Sequence, residues 1–197
     1  MLNIAVLVSG GGSNLQSIID GTESGYINGK VKLVLSNKSG IYGLERAKNH
    51  NIKSIVESDE AKIIEILKEE NIDLVVLAGY LKIIGPKFVE AFKNKIINIH
   101  PSLIPAFCGE GYYGNRVHKA VLDYGAKLSG ATVHFVDEGA DTGPIIMQAS
   151  VDVRHDDTPE SLAERVLEVE HNILKESVKL YCENKLKVYG RGVIINE

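Results

Sequence analysis

The chain has 197 residues, 44% of them hydrophobic and 24% charged, with a formal net charge of -4. That is enough chain to bury one core, and the charges are mixed, with no basic run of five or more, so nucleic acid is not expected as the main partner. Apolar stretches are only strand-length, which leaves no candidate membrane span. Cys108 and Cys182 form neither a CxxC pair nor a zinc spacing, so a reduced, cytoplasmic protein is expected.

The N-terminus enters a strand at once, without a signal-peptide pattern. Ile4-Ala5-Val6-Leu7-Val8 is a continuous apolar run, the mark of a strand buried on both faces. Ser9-Gly10-Gly11-Gly12-Ser13-Asn14 follows, and then Leu15, Ile18 and Ile19 at helical spacing. A strand, a glycine-rich turn and a helix N-terminus together make an anion site, because free N–H groups and the helix dipole both favour negative charge there. The turn departs from GxGxxG and carries no Gly-Lys-Ser/Thr, so a phosphate fits it better than a dinucleotide does.

Residues 31–36 read as a second strand, 44–50 as a helix and 53–56 as a short third strand. Residues 59–70 are amphipathic, with Ile63, Ile66 and Leu67 on one stripe. Leu74 to Ala78 is a fourth buried strand, and proline opens the helix at 86–92. Alternation of this kind predicts a parallel sheet whose ligands gather at the carboxyl ends of the strands.

Ile96-Ile97-Asn98-Ile99-His100-Pro101-Ser102 is a strand that stops at a proline. Residues two apart share a face, so Asn98 and His100 project side by side at its carboxyl end. An amide donor beside a titratable imidazole suits carbonyl chemistry; the alternative is a pair of satisfied polar residues at a strand end. The loop at 101–115 is rich in glycine and tyrosine, and a loop of that length is usually functional or mobile. A helix at 116–124, strands at 129–136 and 145–153 pairing antiparallel, a long helix from Thr158-Pro159 to about Tyr181, and two peripheral tail strands complete the chain.

Asp141 lies between Gly139 and Gly143, where the backbone can turn tightly and aim its carboxylate inward. Paired with His100, it would raise the imidazole's pKa and hold a proton donor near neutral pH; the alternative is a solvated turn residue, a role that Asp137 and Glu138 fit better. Glu170 stands among Val166, Leu167, Ile173 and Leu174 on the last helix, so a charge there needs either a ligand or an internal partner such as arginine. His100, His134 and Asp141 have metal-ligand chemistry but come from three segments with no local ligand spacing, so no metal is expected. Cys108 has no adjacent base and reads as a free thiol. Thr132 and Ser102 read as hydrogen-bonding residues, since no Gly-x-Ser-x-Gly elbow is present.

Asn98-Ile99-His100-Pro101-Ser102-Leu103-Ile104-Pro105, followed by Asp141-Thr142-Gly143-Pro144-Ile145, resembles the folate-dependent formyltransferases. Ser9 to Gln16 and Val169-Glu170-His171 narrow the likeness to the branch that formylates glycinamide ribonucleotide in purine biosynthesis. The likeness runs from about residue 3 to 189. It implies an α/β fold: a single-domain, Rossmann-like three-layer sandwich over 1–197, with a mainly parallel sheet and an antiparallel C-terminal part. A phosphate-binding half at about 1–95 would precede a folate-binding and catalytic half at about 96–197. The implied reaction moves formyl from 10-formyltetrahydrofolate to glycinamide ribonucleotide without a metal.

By the same resemblance Asn98, His100 and Asp141 are the catalytic trio, and Gly12, Ser13, Asn14 and Glu170 meet the ribonucleotide. Leu81, Lys82, Ile83 and Ile84 line the folate pocket, and Glu138, Gly139 and Ala140 close on the pterin. The loop at 106–115 is longer and more tyrosine-rich than the commonest family version. Rival readings are a formyltetrahydrofolate hydrolase, which would carry a further N-terminal regulatory domain, a non-catalytic nucleotide-binding module, and a dinucleotide oxidoreductase. The missing third glycine counts against the last.

Overall fold

A computed structural model describes residues 1–196. In chain order the elements are β1 (Leu2–Val8), α1 (Ser13–Glu23), β2 (Gly29–Ser36), α2 (Tyr42–Asn49), β3 (Lys53–Val56), α3 (Glu60–Glu69), β4 (Leu74–Leu77) and α4 (Pro86–Ala91). They continue with β5 (Ile96–His100), α5 (Asn115–Tyr124), β6 (Leu128–Phe135), β7 (Ile145–Asp152), α6 (Pro159–Cys182), β8 (Leu186–Tyr189) and β9 (Gly192–Ile195).

The strands form one sheet in the order β3-β2-β1-β4-β5-β6-β7-β9-β8. The first five positions are parallel to one another, and β6 joins β5 antiparallel, as does β7 to β6. The apolar runs of β1 and β4 are buried along their whole interior because helices cover both faces of the sheet. On one face Ile4, Val6 and Val8 pack with Leu15 and Ile18 of α1 and with Leu162, Val166 and Leu174 of α6. On the other, Ala5 and Leu7 meet Ile63 and Leu67 of α3 and Phe88 of α4. The period of two within β1 thus divides the core into the two halves of a three-layer sandwich.

Helix α6 carries the buried Glu170, and its start is closely fixed. Thr158 caps it by accepting from Ser161 N–H at 3.2 Å, and Pro159 occupies the first turn. Arg165 donates two hydrogen bonds to Asp157, at 2.9 and 2.8 Å, just before the cap. No helix among the described residues is long and apolar enough to cross a membrane.

Candidate active site

The carboxyl ends of β4 and β5 open on one cleft of about 720 Å³, which Asn14 of α1 also lines, a normal size for a small-molecule site. Two structural features place it there. Parallel strands end together, and β6 brings a further polar residue, His134, directly opposite Asn98 in the antiparallel ladder. Asn98, His100 and Asp141 all line the cleft, as the sequence predicts, and they are in mutual reach. Asn98 Nδ2 is 3.5 Å from Asp141 Oδ1, and His100 Nδ1 is 3.4 Å from Asp141 Oδ2.

Asp141 adopts a left-handed backbone (φ 58), which is uncommon outside glycine and tolerated best by Asp and Asn. Its neighbour Gly143 is obligatory for a different reason: a Cβ there would lie 1.8 Å from the Phe135 carbonyl oxygen. The carboxylate accepts the Gly109 N–H at 2.9 Å. Burial pushes the Asp141 pKa up, but the neighbouring His134 and His100 rings and the Gly109 N–H bring it below the ordinary value.

The expected proton donor at His100 needs correcting. The ring is 4% exposed, and burial lowers its pKa below the ordinary imidazole value; Asp141 and the Phe107 carbonyl raise it, but by less. The balance favours the neutral imidazole. Its Nε2 donates to the Phe107 carbonyl at 3.0 Å, which leaves Nδ1, the nitrogen facing Asp141, without a proton.

The loop at 101–115 is part of the site's frame. Besides Phe107 and Gly109, it is held by Ser102 Oγ, which donates to the Ala106 carbonyl at 2.6 Å, and by Thr132 Oγ1, which donates to the Ser102 carbonyl at 2.6 Å. Both hydroxyls thus have the hydrogen-bonding part expected of them. Cys108 is a free thiol whose pKa is raised, first by burial and then by Asp141.

At the phosphate-type turn Gly12 has φ 71 and serves as the N-cap of α1, with no side chain capping the helix. The loop's carbonyls are already occupied. Gly10 accepts from Gly43 N–H at 3.1 Å, Gly11 from Arg46 Nε at 2.8 Å and Gly12 from Gln16 N–H at 2.9 Å. The first N–H groups of α1 are left for an anion. Of the three residues expected here, Asn14 lines the cleft, while Gly12 and Ser13 are not among its lining residues.

Glu170 lines the same cleft and is 8% exposed. Its partner is not an arginine but the amide of Asn14, which donates to Oε2 at 2.6 Å. A neutral amide cannot compensate a buried charge, and burial raises the carboxyl's pKa to about 7 despite that bond. The Asn14 Oδ1 is buried without a partner.

Leu81, Lys82, Ile83 and Ile84 form an irregular wall after β4, and Leu81 and Ile83 are exposed apolar residues facing open space. Ser9 secures this wall by accepting the Leu81 N–H at 2.9 Å while donating to Asn37 at 2.7 Å. Glu138, Gly139 and Ala140 form the opposite rim. Beneath them Asp137 accepts from Thr142 Oγ1 at 2.5 Å, a turn-building role.

Sequence reasoning gives no site role to His118 or Ala163, and it reads His134 only as a possible metal ligand and Leu167 only as an apolar neighbour of Glu170, yet all four line the cleft. Ala163, Leu167 and Glu170 recur at i, i+4 and i+7, a helical face that does signal a shared surface. His100, His134 and Asp141 do come together, the two rings lying 3.4 and 3.6 Å from the carboxylate. No group of three or more His, Cys, Asp or Glu among the described residues is arranged to hold a metal ion.

Comparison with known proteins bears on what the cleft does. The family model described as formyl transferase matches residues 2–178. The chain is 46% identical over 200 residues to the chloroplastic phosphoribosylglycinamide formyltransferase of Arabidopsis thaliana, covering 96% of this chain and 68% of the relative. It is 41% identical over 198 residues to phosphoribosylglycinamide formyltransferase of Haemophilus influenzae, covering 95% and 91%. The crystal structure of glycinamide ribonucleotide transformylase 1 from Symbiobacterium toebii superposes with a TM-score of 0.95 at 41% identity, covering 100% and 95%. A formyltetrahydrofolate deformylase from Pseudomonas syringae has a TM-score of 0.91 at 25% identity, and this chain covers 66% of it.

Proposed function

The chain belongs to the formyl transferase family, and we propose that it transfers the formyl group of 10-formyltetrahydrofolate to the amine of glycinamide ribonucleotide, in purine biosynthesis. The observation that carries this reading is the convergence of Asn98, His100 and Asp141 on one cleft with the Asn14–Glu170 pair. One set suits a reacting carbonyl, the other an amine- and phosphate-bearing acceptor.

The amine attacks the formyl carbon, and negative charge grows on the formyl oxygen. Asn98 donates a hydrogen bond to that oxygen, a contribution of about 3 kcal/mol for a donor of this kind. One proton must leave the attacking nitrogen and reach the departing folate nitrogen. His100 Nδ1 and Asp141 Oδ2 receive it together, because the low-pKa carboxylate stabilises the imidazolium that forms. A neutral resting His100 therefore suits this transfer, since it begins as the base and becomes the donor. The backbone at Gly12, Ser13 and Asn14 takes the ribonucleotide's phosphate, and Glu170 contacts the ribonucleotide.

Leu81 to Ile84 and Glu138 to Ala140 enclose the folate, which covers the exposed Leu81 and Ile83. The reaction takes place in a reducing cytoplasm, in keeping with two free cysteines.

The test is absorbance on mixing the protein with 10-formyltetrahydrofolate, with and without glycinamide ribonucleotide. Product only with the ribonucleotide is the expected result. Tetrahydrofolate formed without it would make the protein a hydrolase, and no change in either case would leave a binding module.

A further inference from the structure

Asn98 can act as a donor only if its amide is turned the right way, and nothing in a planar amide decides that by itself. The oxygen and nitrogen ends have the same shape, so neighbours must discriminate. Its direct partner across the β5–β6 ladder is His134, which is 1% exposed. His134 Nδ1 lies 2.8 Å from the carbonyl oxygen of Phe135. A carbonyl only accepts, so Nδ1 carries the proton and Nε2 presents a lone pair. That lone pair faces Asn98 Nδ2 at 3.1 Å. Asp141 Oδ1 is 3.6 Å from Nε2, half an ångström farther than the amide, so Asn98 is the ring's nearer partner on that side.

We infer that His134 is the positioning residue for Asn98, holding the amide in the one orientation that keeps an N–H available to the reacting oxygen. The reversed amide would set Asn98 Oδ1 against the His134 lone pair and the Asp141 carboxylate, where it finds no donor. In the observed orientation one N–H is taken by His134. The other has only Asp141 Oδ1 at 3.5 Å, the outer limit of a hydrogen bond, and can turn to a ligand. The chain of control runs from the Phe135 carbonyl through the His134 tautomer to the Asn98 amide.

This inference rests on the formyl-transfer reading for its kinetic consequence, but its structural half can be tested without turnover. Nitrogen-15 NMR of the imidazoles in the empty protein should show His134 protonated at Nδ1 and bare at Nε2; a proton on Nε2 would overturn the assignment. For the kinetic half, His134→Gln keeps an acceptor near the Nε2 position and His134→Phe removes it. His134→Phe should lower kcat by about 100-fold, the size of losing one oriented oxyanion donor, with both KM values little changed. His134→Gln should recover most of that loss. In an Asn98→Ala background, His134→Phe should cost almost nothing more, because both act through one amide. Additive losses, or equal losses in the Gln and Phe variants at matched thermal stability, would show that His134 does not act through Asn98.

Discussion

Glu170→Gln should stabilise the empty protein at high pH while weakening its hold on the ribonucleotide. Burial lifts the carboxyl of Glu170 from its ordinary 4.5 to about 7. At 1.36 kcal/mol per pKa unit, that corresponds to about 3 kcal/mol. Below pH 4.5 the folded and unfolded chains both hold the proton, and the group is neutral to stability. Between about 4.5 and 7 the unfolded chain releases it while the folded chain keeps it, so stability falls as pH rises. Above the folded pKa the whole amount has been lost.

Glutamine never ionises, keeps an acceptor for the Asn14 amide and offers an N–H to Asn14 Oδ1, which has no partner. In a chain of this length about 3 kcal/mol corresponds to a Tm difference of about 6–12 °C. Thermal unfolding of both proteins without ligand should show that gap at pH 8 and near coincidence at pH 4.5. Comparing variant with parent at each pH cancels every other titrating group. A gap of the same size at both pH values, or none at pH 8, would refute the reasoning.

Asn98→Ala and Asp141→Asn should each reduce kcat far more than they raise either KM, by about 10²–10³ for the lost donor at Asn98; near-parental turnover in steady-state assays would contradict their roles. Since Asp141 raises the pKa of His100 against burial, Asp141→Asn should move that pKa still further below the ordinary value, read from the imidazole C–H resonances by NMR. An upward movement would mean that the carboxylate does not act on the ring. Gly12→Ala forces a left-handed residue whose Cβ would sit 2.9 Å from Gly43 Cα. It should lower stability by about 1 kcal/mol or more and weaken ribonucleotide binding in calorimetry, whereas unchanged binding would remove the turn from the phosphate site.

Much of the fold was readable because its signals are local. The apolar runs at β1 and β4, Thr158-Pro159 at the head of α6 and the period of α3 each specify their element within a few residues. Boundaries shifted only slightly: β2 begins at Gly29 and α2 at Tyr42, both ahead of the expected start. The loop at 101–115 was legible as functional but not as part of the frame. Its contacts are made by the Phe107 carbonyl and the Gly109 N–H, and backbone groups carry no residue-type signature.

Residue types and their spacing, then, determined that this chain alternates strands and helices around a mainly parallel sheet, that Asn98, His100 and Asp141 are its reactive candidates, and that Glu170 is out of place on an apolar stripe. The likeness of those motifs to a family pointed to formyl transfer. Tertiary structure alone decided how deeply His100 is buried beside Asp141 and which group partners Glu170. At His100 burial works against the neighbouring aspartate, and of the two partners open to Glu170, a ligand or an internal group, the structure supplies an internal amide from α1. Proton affinity depends on solvent exclusion and on what lies within a few ångströms, and neither follows from position along the chain. For the same reason the sequence shows His134 only as one more possible ligand type, and it is the β5–β6 register that sets it opposite Asn98.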